Sequence, residues 1–343
     1  VIDHQRRQTI AVLGGGSFGT VIANLAADNG HQVRLWLRSE EQCEEIRTAK
    51  MNSRYLPRYR LNDSLQATTS LEEAVAGASI IMFAVPSKAV GSVARDVAAI
   101  IGNTRLAAVS LTKGIEPKSF RLMSEVLHEE LPECDVAVIS GPNLAKEIAQ
   151  GTPSATVVAS RQRPLREALQ NILRSDSFRL YTNPDVYGVE LAGALKNIYA
   201  IVSGMAESLG MGANTRAMIM TRSLAEMSRF AERLGADPLT FLGLAGVGDL
   251  IVTCTSPLSR NYRVGQAIGQ GFSLKQAVKQ LGEVAEGVNT LHMVFEKANE
   301  MDVEMPLVQG LHAILFEGAD VDHLAHRLMI GADAADVEFM THR

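Results

Sequence analysis

The sequence predicts an α/β fold, a doubly wound sheet followed by an all-helical domain, on three observations. Residues 9–28, TIAVLGGGSFGTVIANLAAD, join a short apolar strand to a helical pattern through a glycine turn. Up to about residue 184, apolar strand-like runs alternate with helical segments, the pattern of a doubly wound parallel sheet. Beyond Pro184 only helical periodicity continues. With 343 residues the chain has room for two domains of about 100–200 residues each. They are expected at 1–187 and 188–343.

The first strand, 9–13, is apolar after Thr9, and the glycines that follow have separable tasks. Gly14 permits a tight turn, Gly16 removes a side chain that would block a phosphate, and Gly19 lets the next helix pack close to the strand. The helix that opens there is rich in alanine, and its first turn offers unpaired N–H groups at the positive end of the helix dipole, an anion site that needs no basic side chain. A lone G-x-G-x-x-G is weak evidence. Here it gains weight from a second strand, HQVRLWLR, about 30 residues into the unit, which completes a Rossmann-like dinucleotide-binding motif.

Further strands are expected at 79–85, 105–111, 136–140, 154–159 and 178–181, with the second at 32–37. Three of their carboxyl ends lead into Pro86-Ser87, Thr112-Lys113-Gly114 and Gly141-Pro142-Asn143. Ligands of such a sheet gather beyond those ends, so the three loops are expected to line one crevice. In the second domain helices are expected at 185–209 and 215–234, followed by shorter ones punctuated at 235–238 and 256–257. The first of these is apolar around most of its circumference, as expected of a buried helix that joins the halves or packs between them.

Composition narrows the function classes. The balance of 33 basic and 38 acidic residues gives a net charge of −5, which argues against a nucleic-acid partner but leaves room for a local basic cluster. Cys43, Cys134 and Cys254 are dispersed and form no C-x-x-C pair, so neither a disulfide framework nor a zinc site is suggested. With no signal peptide recognised, this points to a reducing cytoplasm. No stretch is apolar enough to read as a membrane span. His323 and His326 have metal-ligand spacing but read as part of a surface helix, and no metal is expected.

Lys196 is the strongest candidate for chemistry. Within an apolar helix, desolvation disfavours its ammonium and moves it toward the range useful for proton transfer; the bland alternatives are a snorkelling lysine or a salt bridge to Glu190 or Glu207. Lys113 carries a second ammonium to the expected crevice, unless it is simply a solvated loop lysine. Ser259 can cap the helix that follows while Arg260 offers a bidentate fork to a phosphate. Asp249, among glycines and apolar residues, is expected to pair with a lysine or to accept from substrate hydroxyls, unless it is simply a turn or cap aspartate. After the second strand come Leu37-Arg38-Ser39, where an NAD-specific site places an acidic residue. A guanidinium and a hydroxyl suit a 2′-phosphate, so NADPH is expected to be preferred; Glu40 and Glu41 leave NADH open through a shift of two positions.

Nearly the whole chain resembles the bacterial NAD(P)-dependent glycerol-3-phosphate dehydrogenases. The motifs are GGGSFGT (14–20), NSRYLP (52–57), SLTKGIE (110–116), VISGPNLAKEIA (138–149), GVELAGALKNIYAI (188–201), RSLAEMSR (222–229), GLAGVGDLIVTCTSPLSRNYRVG (243–265), VAEGVNT (284–290) and VEMP (303–306). The resemblance implies an oxidoreductase that reduces dihydroxyacetone phosphate reversibly to sn-glycerol 3-phosphate for phospholipid synthesis. It implies Lys196 as proton acceptor and Lys113 in contact with substrate and cofactor. Gly141, Asn143, Asp249, Ser259, Arg260 and Asn261 fall at substrate positions, where the family more often has Ser or Thr in place of Asn143. Ser17, Phe18, Arg38, Tyr55, Ala145, Arg260, Val284 and Glu286 fall at cofactor positions beside the glycine turn. A cytoplasmic homodimer is the expected state. The competing readings are a β-hydroxyacid or 6-phosphogluconate-type dehydrogenase, which the Ser259-Arg260-Asn261 turn disfavours, and a non-catalytic NAD(P)H sensor.

Overall fold

In the computed structural model the described residues are 7–117, 119–281 and 286–321. The chain divides into two units, 1–190 and 191–343.

The first unit alternates strand and helix from its start: β1 (Thr9–Leu13), α1 (Ser17–Asp28), β2 (Gln32–Trp36) and α2 (Glu40–Ala49). A two-stranded antiparallel hairpin, β3 (Met51–Asn52) and β4 (Leu56–Arg60), and the short β5 (Gln66–Thr68) follow. Then come α3 (Leu71–Val75), β6 (Ile80–Phe83), α4 (Ser87–Ile101), β7 (Ala107–Ser110), α5 (Met123–Glu130) and β8 (Asp135–Ser140). The unit's sheet is completed by α6 (Ala145–Ala149), β9 (Ser154–Ala159), α7 (Arg163–Leu173) and β10 (Phe178–Asn183).

Eight strands form the sheet in the order β10-β9-β8-β7-β6-β1-β2-β5. β1 is apolar on both faces because both are covered. Ile10 and Val12 join a core layer with Val21 and Ile22 of α1 and Leu169 of α7. Ala11 and Leu13 join the opposite layer with Val90 of α4 and Val126 and Leu127 of α5. Burying each of the larger side chains is worth about 1.5–3 kcal/mol. The chain leaves β1 toward β2 on one side and returns as β6 on the other, so the order reverses at β1, where ligands of such sheets bind.

One expectation needs correction: the sheet is not wholly parallel. β8 and β9 are antiparallel, while β9 and β10 are parallel to each other. The connection from β8 to β9 contains only the five-residue α6, whereas the eleven-residue α7 provides a full crossover before β10.

α8 (Val186–Ser208) contains the division between the units. After it come α9 (Ala213–Arg233), a 3₁₀ turn (Pro238–Leu242), a π-helical turn (Leu244–Gly248), α10 (Asp249–Thr255), α11 (Arg260–Gly269), α12 (Leu274–Leu281), α13 (Glu286–Glu300), α14 (Pro306–His312) and a final π-helical turn (Ala313–Glu317). No strand occurs among the described residues of this unit. α8 and α11 meet backbone to backbone, since a Cβ on Gly204 would lie 2.0 Å from the carbonyl oxygen of Tyr262, and one on Gly265 would lie 2.0 Å from that of Ile201. Two glycines thereby fix the crossing that carries Lys196 on one helix and Ser259-Arg260 at the start of the other. Among the described residues no helix is long and apolar enough to cross a membrane.

A buried carboxylate joins α8, α9 and α14. Glu226 is 2% exposed and accepts from the Leu307 N–H at 2.7 Å and the Tyr199 hydroxyl at 3.2 Å. Burial pushes its carboxyl up to about 7 despite these bonds. The folded chain therefore holds this proton where the unfolded chain, near the ordinary 4.5, has released it. The resulting stability is present below the unfolded value and lost as pH rises through about 7. Glu226→Gln is thus expected to flatten the pH dependence, gaining on the native protein by up to about 3 kcal/mol between about pH 5 and about pH 8. Urea unfolding at both pH values checks this; parallel curves for the two proteins would contradict it.

Candidate active site

In the first unit the glycine turn sits at the strand-order reversal. Gly14 adopts φ +126°, and a Cβ there would lie 2.5 Å from the carbonyl oxygen of Ala84, just past β6. A Cβ on Gly19 would lie 2.2 Å from the Gly14 oxygen, so α1 starts in contact with the turn. Gly16 differs: a Cβ there meets nothing within 4 Å, and this residue is the N-cap of α1 with no side chain bonded across it. An open face at an uncapped helix N-terminus is what a diphosphate requires. The residues present fit a dinucleotide.

Around the turn, Ser17 donates from its hydroxyl to the Tyr55 carbonyl at 3.2 Å, and Phe18 packs against the core layer that also receives Ala145. Arg38 is exposed just after β2, and Ser39 caps α2 by accepting from the Gln42 N–H at 3.2 Å. Asn52 and Gln42, which were not singled out from sequence, reach the carbonyl of Gly15 at 3.0 and 2.7 Å. Asn52 opens the NSRYLP segment, but its task is not legible there, because the two residues lie in polar segments distant from the turn.

β6, β7 and β8 run parallel side by side, so their carboxyl ends share one edge of the sheet. Thr112, beyond β7, donates to the Val85 carbonyl beyond β6 at 2.7 Å, and Lys113 donates from Nζ to the Gly141 carbonyl beyond β8 at 2.8 Å. The three loops are thus bonded together, as expected of one crevice. Next to them, both amide atoms of Asn143 are buried without a hydrogen-bond partner. Such orphaned groups are costly in a native fold and mark a place where a ligand can complete the bonding.

In the second unit Lys196 is 6% exposed in the middle of α8. It neither snorkels nor meets Glu190 or Glu207: Glu190 accepts from the Ser124 N–H at 3.0 Å, and Glu207 accepts from Gln266. Its Nζ instead forms a hydrogen-bonded ion pair with Oδ1 of Asp249, which is fully buried at the start of α10. The same Nζ donates to Oγ1 of Thr253, one turn further on, at 2.6 Å. Thr253 could have been found from its i+4 spacing to Asp249. The π-helical turn before α10 folds tightly because a Cβ on Gly246 would lie 2.1 Å from the Phe241 carbonyl oxygen. That packing brings the carboxylate under the lysine, and their attraction offsets the desolvation of both. Burial pushes the adjacent Cys254 thiol up to about 12, so it stays protonated at neutral pH and offers no nucleophile.

α11 begins nearby in sequence. Ser259 caps it by accepting from the Tyr262 N–H at 3.3 Å, and Arg260 is exposed as its first residue. Asn261 is 7% exposed and accepts from the Gly287 N–H at 3.0 Å, which ties α11 to the first turn of α13, where Glu286 is half-buried. Val284, His323 and His326 lie outside the described residues.

A buried lysine–carboxylate pair in a helical unit, preceded by a dinucleotide-type sheet, agrees with the comparisons. Residues 9–165 match the family model for the NAD-dependent glycerol-3-phosphate dehydrogenase N-terminus, and residues 185–326 match that for its C-terminus. A protein of Azotobacter vinelandii named glycerol-3-phosphate dehydrogenase [NAD(P)+] is 55% identical over 335 residues, 98% of each chain. One of the same name from Pseudomonas aeruginosa is 54% identical over 334 residues, 97% of this chain and 98% of that one. The solved glycerol-3-phosphate dehydrogenase of Coxiella burnetii superposes with a TM-score of 0.89 at 38% identity, covering 94% of this chain and 99% of that chain. With both halves matched in order and relatives aligned nearly end to end, this chain belongs to the NAD-dependent glycerol-3-phosphate dehydrogenase family.

Proposed function

We propose that this protein is an NAD(P)-dependent dehydrogenase that interconverts dihydroxyacetone phosphate and sn-glycerol 3-phosphate. The observation that carries the reading is the buried Lys196–Asp249 pair, with Thr253 bonded to the same ammonium, in a chain of this family. A bound nicotinamide supplies the two electrons, so that ketone, NAD(P)H and a proton give the alcohol and NAD(P)+. The proton passes between the Lys196 ammonium and the C2 oxygen, leaving in the reductive direction and arriving in the oxidative one. Asp249 and Thr253 orient the ammonium and favour its charged form. Lys113 polarises the C2 oxygen, and Gly141 and Asn143 line the substrate. The Ser259–Asn261 turn, with the guanidinium of Arg260 and the start of α11, binds the phosphate.

Most of the dinucleotide contacts are assigned to the first unit, and proton transfer and phosphate binding to the second. Gly14, Gly16, Ser17, Phe18 and Gly19 receive the diphosphate; Arg38, Tyr55, Ala145, Arg260, Val284 and Glu286 complete the cofactor site. A reductive direction, supplying glycerophospholipid precursor from a cytoplasmic homodimer, belongs to the same reading; the direction rests on the proposed NADPH preference, and the reducing compartment is supported by three buried thiols outside any disulfide.

That preference is supported by what surrounds Arg38. The exposed guanidinium follows β2, while the carboxylate of Glu40 is engaged by Thr69 Oγ1 at 2.8 Å and Arg47 at 3.2 Å, which removes it from the ribose-gripping role that NADH would need. Arg38→Ala is expected to lower kcat/KM for NADPH by about ten- to hundredfold, the worth of a charge-assisted bond, and to change that for NADH by less than about threefold. Native kcat/KM higher for NADH than for NADPH would contradict the preference. The function itself is tested by NADPH oxidation with dihydroxyacetone phosphate against ketopantoate and tartronate semialdehyde. Turnover confined to the phosphorylated triose is expected; turnover of a carboxylate substrate alone, or of none, would overturn the assignment.

A further inference from the structure

We propose that Asn52 and Gln42 are positioning residues for the diphosphate site: their side-chain amides hold the Gly15 carbonyl inward and so aim the following N–H groups at the anion. The inference rests on the dinucleotide reading and concerns residues that the motif itself does not contain.

Asn52, the last residue of β3, is fully buried. Its Nδ2 donates to the Gly15 carbonyl at 3.0 Å and to the Thr20 hydroxyl at 2.8 Å. Its Oδ1 accepts from Nε2 of Gln42 at 2.9 Å, and that Nε2 also donates to the Gly15 carbonyl at 2.7 Å. One carbonyl oxygen therefore receives two amide donors, and the donors are bonded to each other. Turning the Asn52 amide over would set oxygen against oxygen, so its orientation is fixed by its partners. The absence of a side chain at residue 15 matters here, because a Cβ would lie 2.7 Å from Leu37 Cδ2 and 3.2 Å from Gln42 Nε2.

A trans peptide is planar, with its C=O and the next N–H pointing opposite ways. Holding the Gly15 oxygen inward therefore turns the Gly16 N–H the opposite way, at a residue where an added Cβ meets nothing. The reversed peptide would present a carbonyl oxygen to the anion, which is repulsive. This gives the β3–β4 hairpin a purpose. It stands outside the eight-stranded sheet, yet it seats Asn52 behind the turn, and the bond from Ser17 to the Tyr55 carbonyl ties its loop to the first turn of α1.

The test is titration calorimetry on the full chain with two ligands: ADP-ribose, which carries the diphosphate, and adenosine 2′-phosphate, which lacks it. Asn52→Leu is expected to raise the Kd for ADP-ribose about tenfold or more, and Gln42→Leu severalfold, with adenosine 2′-phosphate changed by less than about twofold. Should Asn52→Leu not fold, the half-buried Gln42→Leu decides on the same pair of ligands. Unchanged ADP-ribose binding in the folded variants, or equal loss of both ligands, overturns the positioning role. Native protein that binds neither ligand overturns the dinucleotide reading and this inference with it.

Discussion

Lys196→Met is expected to lower kcat by about two to four orders of magnitude while NADPH still binds, because it removes the proton-transferring group and nothing assigned to the cofactor. The same substitution is expected to destabilise the protein. Asp249 is fully buried, and removing the cation opposite a buried carboxylate costs about 3–5 kcal/mol. The two effects separate in Lys196→Met/Asp249→Asn, which removes both charges from the interior together. The double variant should recover much of the stability lost by the single one, yet none of its turnover. Recovery of turnover along with stability would reduce the lysine to a structural partner of Asp249.

The glycine turn offers the second large effect, because neighbouring glycines are expected to fail in different ways. A methyl at Gly16 meets nothing, so Gly16→Ala should cost about 1 kcal/mol at most, the difference between Gly and Ala as N-cap. Its NADPH affinity should nevertheless fall more than about tenfold, since the methyl stands on the face proposed to receive the diphosphate. Gly19→Ala places a Cβ 2.2 Å from the Gly14 carbonyl oxygen and 2.8 Å from the Ala84 Cβ, so α1 must move away from β1. Stability should drop by about 1–3 kcal/mol, as in other overpacked sites, and affinity should drop with it. Thermal unfolding and fluorescence titration with NADPH check both variants. Native affinity in Gly16→Ala would mean that the open face is not where the anion sits.

Particular elements show what the chain reveals locally. β1 and β9 coincide with the runs expected at 9–13 and 154–159, because strands covered on both sides are short, largely apolar segments between polar turns. α8 and α9 fall within about two residues of expectation for the same kind of reason, long periodic segments with clear ends. The β3–β4 hairpin gave no such signal. β4 reads LPRYR, mostly exposed, with Arg58 at φ +66°, and it pairs with a β3 of only two residues. The direction of β9 was also not legible, since it depends on the connection rather than on the strand's composition.

The candidate site divides similarly. Lys113 and Gly141 could be placed together because the carboxyl ends of a parallel sheet share an edge, and the 2.8 Å bond between them follows from that rule. Asp249 was recognisable as a carboxylate in want of a partner, but the partner lies 53 residues away on another helix, and the nearer acids Glu190 and Glu207 were the natural guesses. Which acid meets Lys196 is decided by the tight π-helical turn at Leu244–Gly248, a tertiary effect. Asn52 and Gln42 belong to the same category: polar side chains whose task appears only once the hairpin is seated.

The central claim is that Lys196 moves the proton of a dehydrogenase reaction. Its most direct test is a single-turnover measurement, in which Lys196→Met/Asp249→Asn loaded with NADPH is mixed with excess dihydroxyacetone phosphate and the nicotinamide absorbance is followed. A rate constant lower than native by at least about a hundredfold is expected, at full NADPH occupancy. A rate constant within about threefold of native would contradict it.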